Sequence, residues 1–266
     1  MRIALGLSYN GQGYEGWQSQ LSRKTIQDKL ESSLTEFAQQ PIQVLCAGRT
    51  DAGVHGLMQV VHFDTQIQRD MSSWVRGTNA FLPSDIAVQW AQIVPDHFHA
   101  RGSAIARRYS YILLESPVRP SIEVSRVGWV FRPLNHEAMN QAAQYLLGEH
   151  DFTSFRASAC QALSPIKHIH RIDMRKHTTQ SNSAYWRFDF EANAFLHHMI
   201  RNIMGCFIQV GQSFQTPQWM DEVLQAKNRD VAAPTFSPDG LYFLGPVYDT
   251  QWGLPEQTSA FDWLIT

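Results

Sequence analysis

The residues best suited to chemistry lie in the segment Ala47-Gly48-Arg49-Thr50-Asp51-Ala52-Gly53-Val54-His55-Gly56. Its three glycines let the backbone turn tightly and approach a ligand closely. Arg49 and Asp51 sit two apart, so in extended backbone their side chains share one side. Such a loop either binds a ligand or is a plain hairpin loop whose aspartate caps a backbone amide. A second signal is Ala194–Val210, where apolar residues cover almost the whole helical circumference and Arg201 sits in the middle. A helix apolar all round is buried. An arginine there needs an anion, a water-filled cleft, or a stem long enough to reach solvent. Gly205, one turn on, would leave room beside it, and His197 lies one turn before. Asp51 is the obvious carboxylate to pair with Arg201. A third signal is Arg107-Arg108-Tyr109-Ser110-Tyr111 on a strand. Alternation puts Arg107, Tyr109 and Tyr111 on one face and Arg108 on the other. Guanidinium groups suit phosphate and rings suit base stacking, although a plain solvated strand face has the same composition.

Other patterns are weaker. Gly11-Gln12-Gly13-Tyr14-Glu15-Gly16 matches G-x-G-x-x-G after a strand. Dinucleotide binding needs the third glycine at the opening of a helix, and helical spacing begins only near Thr25. A turn-rich surface loop is expected instead. His97 with His99, or His197 with His198, lacks a third ligand at a recognisable metal-binding spacing. Neither a nucleophile elbow nor a Walker loop appears.

The elements that must position these residues follow from periodicity. Ile3–Tyr9 reads as a strand. Thr25–Gln40 reads as a helix, with Ile26, Leu30, Leu34 and Phe37 on one face and Pro41 as its stop. Strands at Ile42–Ala47 and Met58–Asp64 flank the glycine-rich loop. A helix at Met71–Leu82, with Asp70 as cap, and a strand at Ile86–Val94 complete a β-α-β-β-α-β order, the ferredoxin-like pattern. The second half repeats it loosely. Strands are expected at Ser103–Glu115, Val127–Phe131, His168–His177, Ala184–Glu191 and Leu241–Tyr248. Helices are expected at His136–Leu147, Ala194–Val210 and Thr216–Lys227, the last with Thr216 as cap. The expected division is 1–100, 101–250 and a tail, 251–266.

The 266 residues are 44% hydrophobic and 17% charged, ordinary for a globular chain. With 22 basic and 24 acidic residues, a uniformly basic coat is excluded, but a local basic cleft is not. Three cysteines, Cys46, Cys160 and Cys206, support neither a disulfide framework nor a zinc ribbon. The N-terminal apolar run is too short for a signal peptide, and no stretch approaches a membrane span. A soluble, reduced, cytoplasmic protein is expected.

At these residues the sequence resembles the tRNA pseudouridine synthase A (TruA) family. The resemblance runs from Ile3 to about Tyr248. It is carried by Gly16-Trp17-Gln18, Gly48-Arg49-Thr50-Asp51-Ala52-Gly53-Val54-His55, Asn79 and Leu82-Pro83-Ser84-Asp85-Ile86. It continues through Phe98-His99-Ala100-Arg101, Arg107-Arg108-Tyr109 and Gly148-Glu149-His150-Asp151-Phe152-Thr153-Ser154-Phe155-Arg156. Phe195-Leu196-His197-His198-Met199-Ile200-Arg201-Asn202 and Gly240-Leu241-Tyr242 complete it. The Gly48–His55 block is its most specific part. Asn10, where the family usually has aspartate, departs from the pattern outside these blocks, and the Arg171–Trp186 region is locally divergent.

The resemblance implies the α+β pseudouridine synthase fold: two ferredoxin-like halves with mainly antiparallel sheets, joined around a central basic cleft. It implies isomerisation of uridine to pseudouridine at positions 38, 39 and 40 of the tRNA anticodon stem-loop, a homodimer, and neither cofactor nor metal. Carried over by motif, Asp51 matches the catalytic aspartate, Arg201 its ion-pair partner, and Tyr109 the ring stacked on the target base. Arg49 matches the arginine that fills the space of the flipped base. Asp51 would act covalently at C1′ or C6 of the nucleotide, or stabilise a glycal-type route; the sequence does not choose. Substrate contacts are expected from Tyr109, Arg49, Arg107, Arg108, Arg101, Arg156 and His55, with Lys24 and Lys167 as further phosphate-binding candidates. The alternative is a tRNA-binding module or chaperone without catalysis.

Overall fold

The computed structural model describes residues 1–158, 160–180 and 183–255. Among the described residues the chain forms two compact units, one of Met1–Arg107 with residues 242–255, the other Arg108–Leu241. The first unit opens with β1 (Arg2–Tyr9), α1 (Ile26–Ala38), β2 (Leu45–Cys46), β3 (His55–Asp64), α2 (Met71–Phe81) and β4 (Ile86–Val94). β1 pairs antiparallel with both β3 and β4, and β2 pairs antiparallel with β3. The order β4-β1-β3-β2 is that of a ferredoxin-like sheet, as the element order predicts.

α1 starts where Thr25 accepts a hydrogen bond from the Asp28 amide, satisfying one of the amides orphaned at a helix start. Its Ile26, Leu30 and Leu34 are buried with Leu5, Leu7, Val61 and Phe63. Each such side chain stabilises the fold by about 1.5–3 kcal/mol. β2 is shorter than its apolar pattern suggests because α1 takes the ladder donors. The Ile42 amide donates to Thr35 Oγ1 (3.1 Å) and the Val44 amide to Glu31 Oε1 (2.9 Å). Asp70 occupies the N-cap of α2 without a side-chain capping bond.

The second unit contains most of β5 (Ala104–Glu115), then β6 (Gly128–Val130), α3 (His136–Gln144) and β7 (Gly148–Asp151). β8 (Ile166–Thr178), β9 (Ala184–Ala192), α4 (Met199–Gly211) and α5 (Trp219–Ala226) follow. The sheet runs β5-β9-β8-β7, with β6 beside the end of β5. Alternation along β9 buries Ala184, Trp186, Phe188, Phe190 and Ala192, and Phe188 stacks on Phe207 of α4 at 6.2 Å. α3 is capped by Asn135, which accepts from the Ala138 amide. α5 starts at Trp219 after Gln218 rather than at Thr216. The last strand, β10 (Leu241–Tyr248), runs parallel to β3 through Tyr242 and Phe243.

The division therefore falls at Arg107 and Arg108, inside a continuous strand, not near residue 100. No change of composition marks it, because a strand continues across it. The described part of the expected tail belongs to the first unit, where Trp252 packs edge-on to Phe98 at 5.2 Å. Its remainder, 256–266, lies outside the described residues. No helix among the described residues is long and apolar enough to cross a membrane.

Candidate active site

The predicted site residues divide between the units. Arg49, Asp51, His55, Arg101 and Arg107 belong to the first, and Arg108, Tyr109, Arg156 and Arg201 to the second.

In the first unit the Gly48–Val54 loop has no regular secondary structure, so its shape depends on individual bonds. Within it Arg49 is exposed, Thr50 buried and Asp51 half-buried. The Thr50 carbonyl accepts from the Trp17 amide (3.0 Å), and the Gly53 amide donates to the Tyr14 carbonyl (3.4 Å). Asp51 closes a turn, its carbonyl accepting from the Val54 amide (3.1 Å). Gln59, fully buried on β3, donates from Nε2 to the Gly48 carbonyl (2.6 Å).

The glycine pattern at Gly11–Gly16 proves to be the clamp on this loop, not a surface turn. Gly11, Gly16 and Trp17 are buried. A Cβ on Gly11 would collide with the Val54 carbonyl, and one on Gly16 would lie 2.7 Å from the Thr50 oxygen. Gly16 also has φ of +86°, which disfavours any other residue. No helix opens at Gly16; α1 begins ten residues later. The rejection of dinucleotide binding therefore agrees with the structure.

His55 has only 3% of its surface exposed. Its Nδ1 accepts from the Gly11 amide (3.1 Å), and its ring stacks on Tyr242 at 4.6 Å. It fastens the clamp to β3 and is placed to shape the loop rather than to touch a substrate. Half-buried Arg107 is engaged too. It donates to the carbonyls of Ala104 (3.1 Å), Arg101 (2.6 Å) and Ala47 (3.4 Å), tying the start of β5 to the residue before Gly48. The Phe98–Arg101 block is mainly structural: Phe98 and Ala100 are fully buried, and the Ala100 amide donates to His62 Nδ1 (3.1 Å). Arg101 is exposed. Burial pushes the Cys46 thiol up to about 11, so it is not a nucleophile.

In the second unit Arg201 sits in the first turn of α4 and is half-buried among fully buried neighbours. Its Nε donates to the Phe236 carbonyl (2.9 Å), and its own carbonyl accepts from the Phe236 amide (3.1 Å). This pair fixes the plane of the guanidinium. Gly205 does not leave room for a ligand: a Cβ there would collide with the Pro234 carbonyl. It lets the 234–236 segment lie against the helix. Asn202, fully buried, completes the arrangement. Its Oδ1 accepts from Thr235 Oγ1 (2.7 Å) and Arg229 (3.1 Å), while Nδ2 donates to the Phe155 carbonyl (2.8 Å). Losing one such partner would strand a buried polar atom at roughly 1–3 kcal/mol.

The apolar run from Ala194 is not helical throughout. α4 begins only at Met199, after His198 in the left-handed region with φ of 63°. Phe195 therefore lies in a loop, where its ring meets Tyr109 edge-on at 5.2 Å and 82°. His197 is likewise a loop residue, not one helical turn before Arg201. Tyr109 is 8% exposed. Arg108, next to it, is half-buried. Arg156 donates to the Cys160 (2.6 Å) and Ala162 (3.0 Å) carbonyls, and the Ala157 amide donates to the His197 carbonyl (3.0 Å). Lys167 likewise donates to the Ser164 (2.6 Å) and Ile166 (2.7 Å) carbonyls. Arg156 and Lys167 thus brace their own loops. Lys24 is exposed.

Sequence reasoning did not single out Tyr9, Gln59 and Asn202. The available signal was polar side chains at inward positions of otherwise apolar elements.

Comparison with known proteins places the chain. A family model described as tRNA pseudouridine synthase matches residues 7–101 and 142–249. A protein of Polaromonas naphthalenivorans (strain CJ2) named tRNA pseudouridine synthase A is 70% identical over 264 residues, covering 99% of this chain and 100% of its own. Proteins of the same name from Acidovorax sp. (strain JS42) and Delftia acidovorans (strain DSM 14801 / SPH-1) are 64% and 63% identical, each covering 99% of this chain and 100% of their own. With both blocks that carry Asp51 and Arg201 inside the matched segments, the chain belongs to the tRNA pseudouridine synthase family.

Proposed function

We propose that this protein isomerises uridine to pseudouridine in tRNA, at positions 38, 39 and 40 of the anticodon stem-loop, with Asp51 as the catalytic carboxylate. The observation that supports this most is a half-buried aspartate on an irregular loop whose neighbours are locked from several directions, in a member of this family. Reactive groups must be held to a fraction of an ångström, and this loop is built for that.

The reaction breaks the bond from C1′ to N1 of uracil, forms one from C1′ to C5, moves the C5 proton off and returns a proton to N1. A base inside a helical stem must first leave the stack, at a cost of a few kcal/mol. Arg49, exposed on the loop, is suited to occupy the vacated space. Tyr109, its ring held edge-on by Phe195, is suited to stack on the extruded base, worth roughly 1–3 kcal/mol. Arg201 is the family's partner for the aspartate, and its fixed guanidinium plane suits carboxylate recognition. We carry forward a cytoplasmic homodimer as part of the same reading. Arg107, Arg156 and Lys167 act by holding loops, which leaves exposed Lys24, Arg49 and Arg101 as the foremost phosphate contacts in this proposal.

The experiment is tritium release from tRNA carrying uridine labelled at C5, with the product mapped by position. Release confined to 38–40 is expected. Tight tRNA binding without release would favour a binding module instead.

A further inference from the structure

Beneath the Asp51 loop lies a polar contact that the reaction chemistry does not itself require. Tyr9 is the last residue of β1, and the register of β1 against β3 shifts between Leu7 and Tyr9. Such an irregularity re-aims the side chain that follows it. Tyr9 stands opposite Gly56, and a Cβ on Gly56 would collide with the Tyr9 ring. The ring, 4% exposed, leans on Trp17 at 6.0 Å and 44°. Its hydroxyl shares a 2.9 Å hydrogen bond with Thr50 Oγ1, itself 6% exposed. A strand irregularity, a glycine and a tryptophan thus all serve to bring one phenol to the side chain that precedes Asp51. Packing alone would be met by phenylalanine.

We propose that Tyr9 and Thr50 form a positioning pair that holds the Asp51 carboxylate in its reactive placement. This rests on the reading of Asp51 as the catalytic carboxylate. The Thr50 backbone is already held by the Trp17 amide at 3.0 Å, so the hydroxyl contact adds a second restraint and fixes rotation of the Thr50–Asp51 peptide. In a site shielded from water such a bond is strong, since no solvent competes for either hydroxyl. Burial also holds the Tyr9 phenol neutral, its pKa pushed well above the ordinary tyrosine value, so the two hydroxyls keep their protons and their shared bond across the working range. Neither residue touches the reacting atoms in this account. Their loss should slow the chemical step and leave tRNA affinity alone.

The test is the single-turnover rate and tRNA affinity of Tyr9→Phe, Thr50→Val and Thr50→Ser, with Asp51→Asn as control, on protein verified as folded. Tyr9→Phe and Thr50→Val should each slow the chemical step by about tenfold or more, since small misplacements of reacting groups cost up to about a hundredfold. Affinity should stay within about twofold, Thr50→Ser should retain most of the rate, and the double variant should be no slower than either single. Should Thr50→Val not fold, Tyr9→Phe, which removes one oxygen, carries the test alone. A Tyr9→Phe rate within twofold of the parent overturns the proposal, as does a loss confined to affinity. If Asp51→Asn is inactive while Tyr9→Phe is unaffected, only the positioning pair fails. If Asp51→Asn is fully active, the assignment of Asp51 fails instead.

Discussion

The loop that carries Asp51 and the helix that carries Arg201 are anchored by opposite strategies. Both use a glycine to admit a backbone carbonyl, Gly11 for Val54 and Gly205 for Pro234. Arg201 inherits its position from the helical ladder of α4, and the 229–236 segment only trims its orientation. Asp51 has no ladder. Its loop is held by Tyr9, Gly11, Tyr14, Trp17, Gln59 and Arg107, which come from both sides in sequence, up to 56 residues away. A helix localises what fixes a side chain, whereas an irregular loop spreads it through the unit. Disturbing the two regions should therefore have different consequences.

The largest difference is expected for Gly11→Ala. The added methyl must displace the Val54 carbonyl and with it the turn closed on Asp51. We expect turnover to fall about a hundredfold in protein that remains folded, because the displacement lands on the proposed catalytic carboxylate. Single-turnover kinetics alongside circular dichroism check this, and retained turnover would mean the clamp does not govern the loop.

The next concerns pH. His62 is 2% exposed and accepts a hydrogen bond at Nδ1, and its pKa is pushed down to about 4, first by burial and then by the charges of Arg2 and His99. The unfolded chain binds a proton there near pH 6.5 and the folded chain does not. Stability should therefore fall as pH drops from about 6.5 to about 4, by up to about 3 kcal/mol. His62→Asn keeps an acceptor for the Ala100 amide and should flatten urea-denaturation stability across that window. Asn202, which serves the Arg201 helix, does not titrate and confers no such dependence.

Gly205→Ala sharpens the comparison from the other side. Its methyl meets the Pro234 carbonyl beside a regular helix. Overpacking of this kind costs about 1–3 kcal/mol. The loss should appear in urea denaturation, with the chemical step slowed less than by Gly11→Ala. The reverse ranking would break the contrast.

The same contrast explains what the sequence made legible. The first unit could be read as βαββαβ because its elements bury one face and are punctuated by Thr25, Pro41 and Pro83, where local chemistry and global packing agree. The Asp51 block was legible because its glycines and charges sit close together. The start of α4 was not, because a continuous apolar run has no period, and Phe195 is apolar in order to meet Tyr109 from a loop. β7 escaped notice because four residues, Gly148–Asp151, are too few to show alternation. The clamp at Gly11–Gly16 looked like a surface turn because its glycines are needed for contacts with residues some forty positions away, which no local pattern reveals. The bracing of Arg107, Arg156 and Lys167 on neighbouring carbonyls was hidden for a related reason: sequence shows their charge but not the loop carbonyls folded beside them.

Asp51→Asn asks most directly whether the loop of the first unit holds the proposed catalytic carboxylate. The change keeps shape and polarity while removing charge and nearly all nucleophilicity. Tritium release from uridine-labelled tRNA should fall below detection, while tRNA binding measured in parallel stays within about tenfold, or ~1.4 kcal/mol. Isomerisation at the parent rate by Asp51→Asn would contradict the account and move the catalytic group elsewhere.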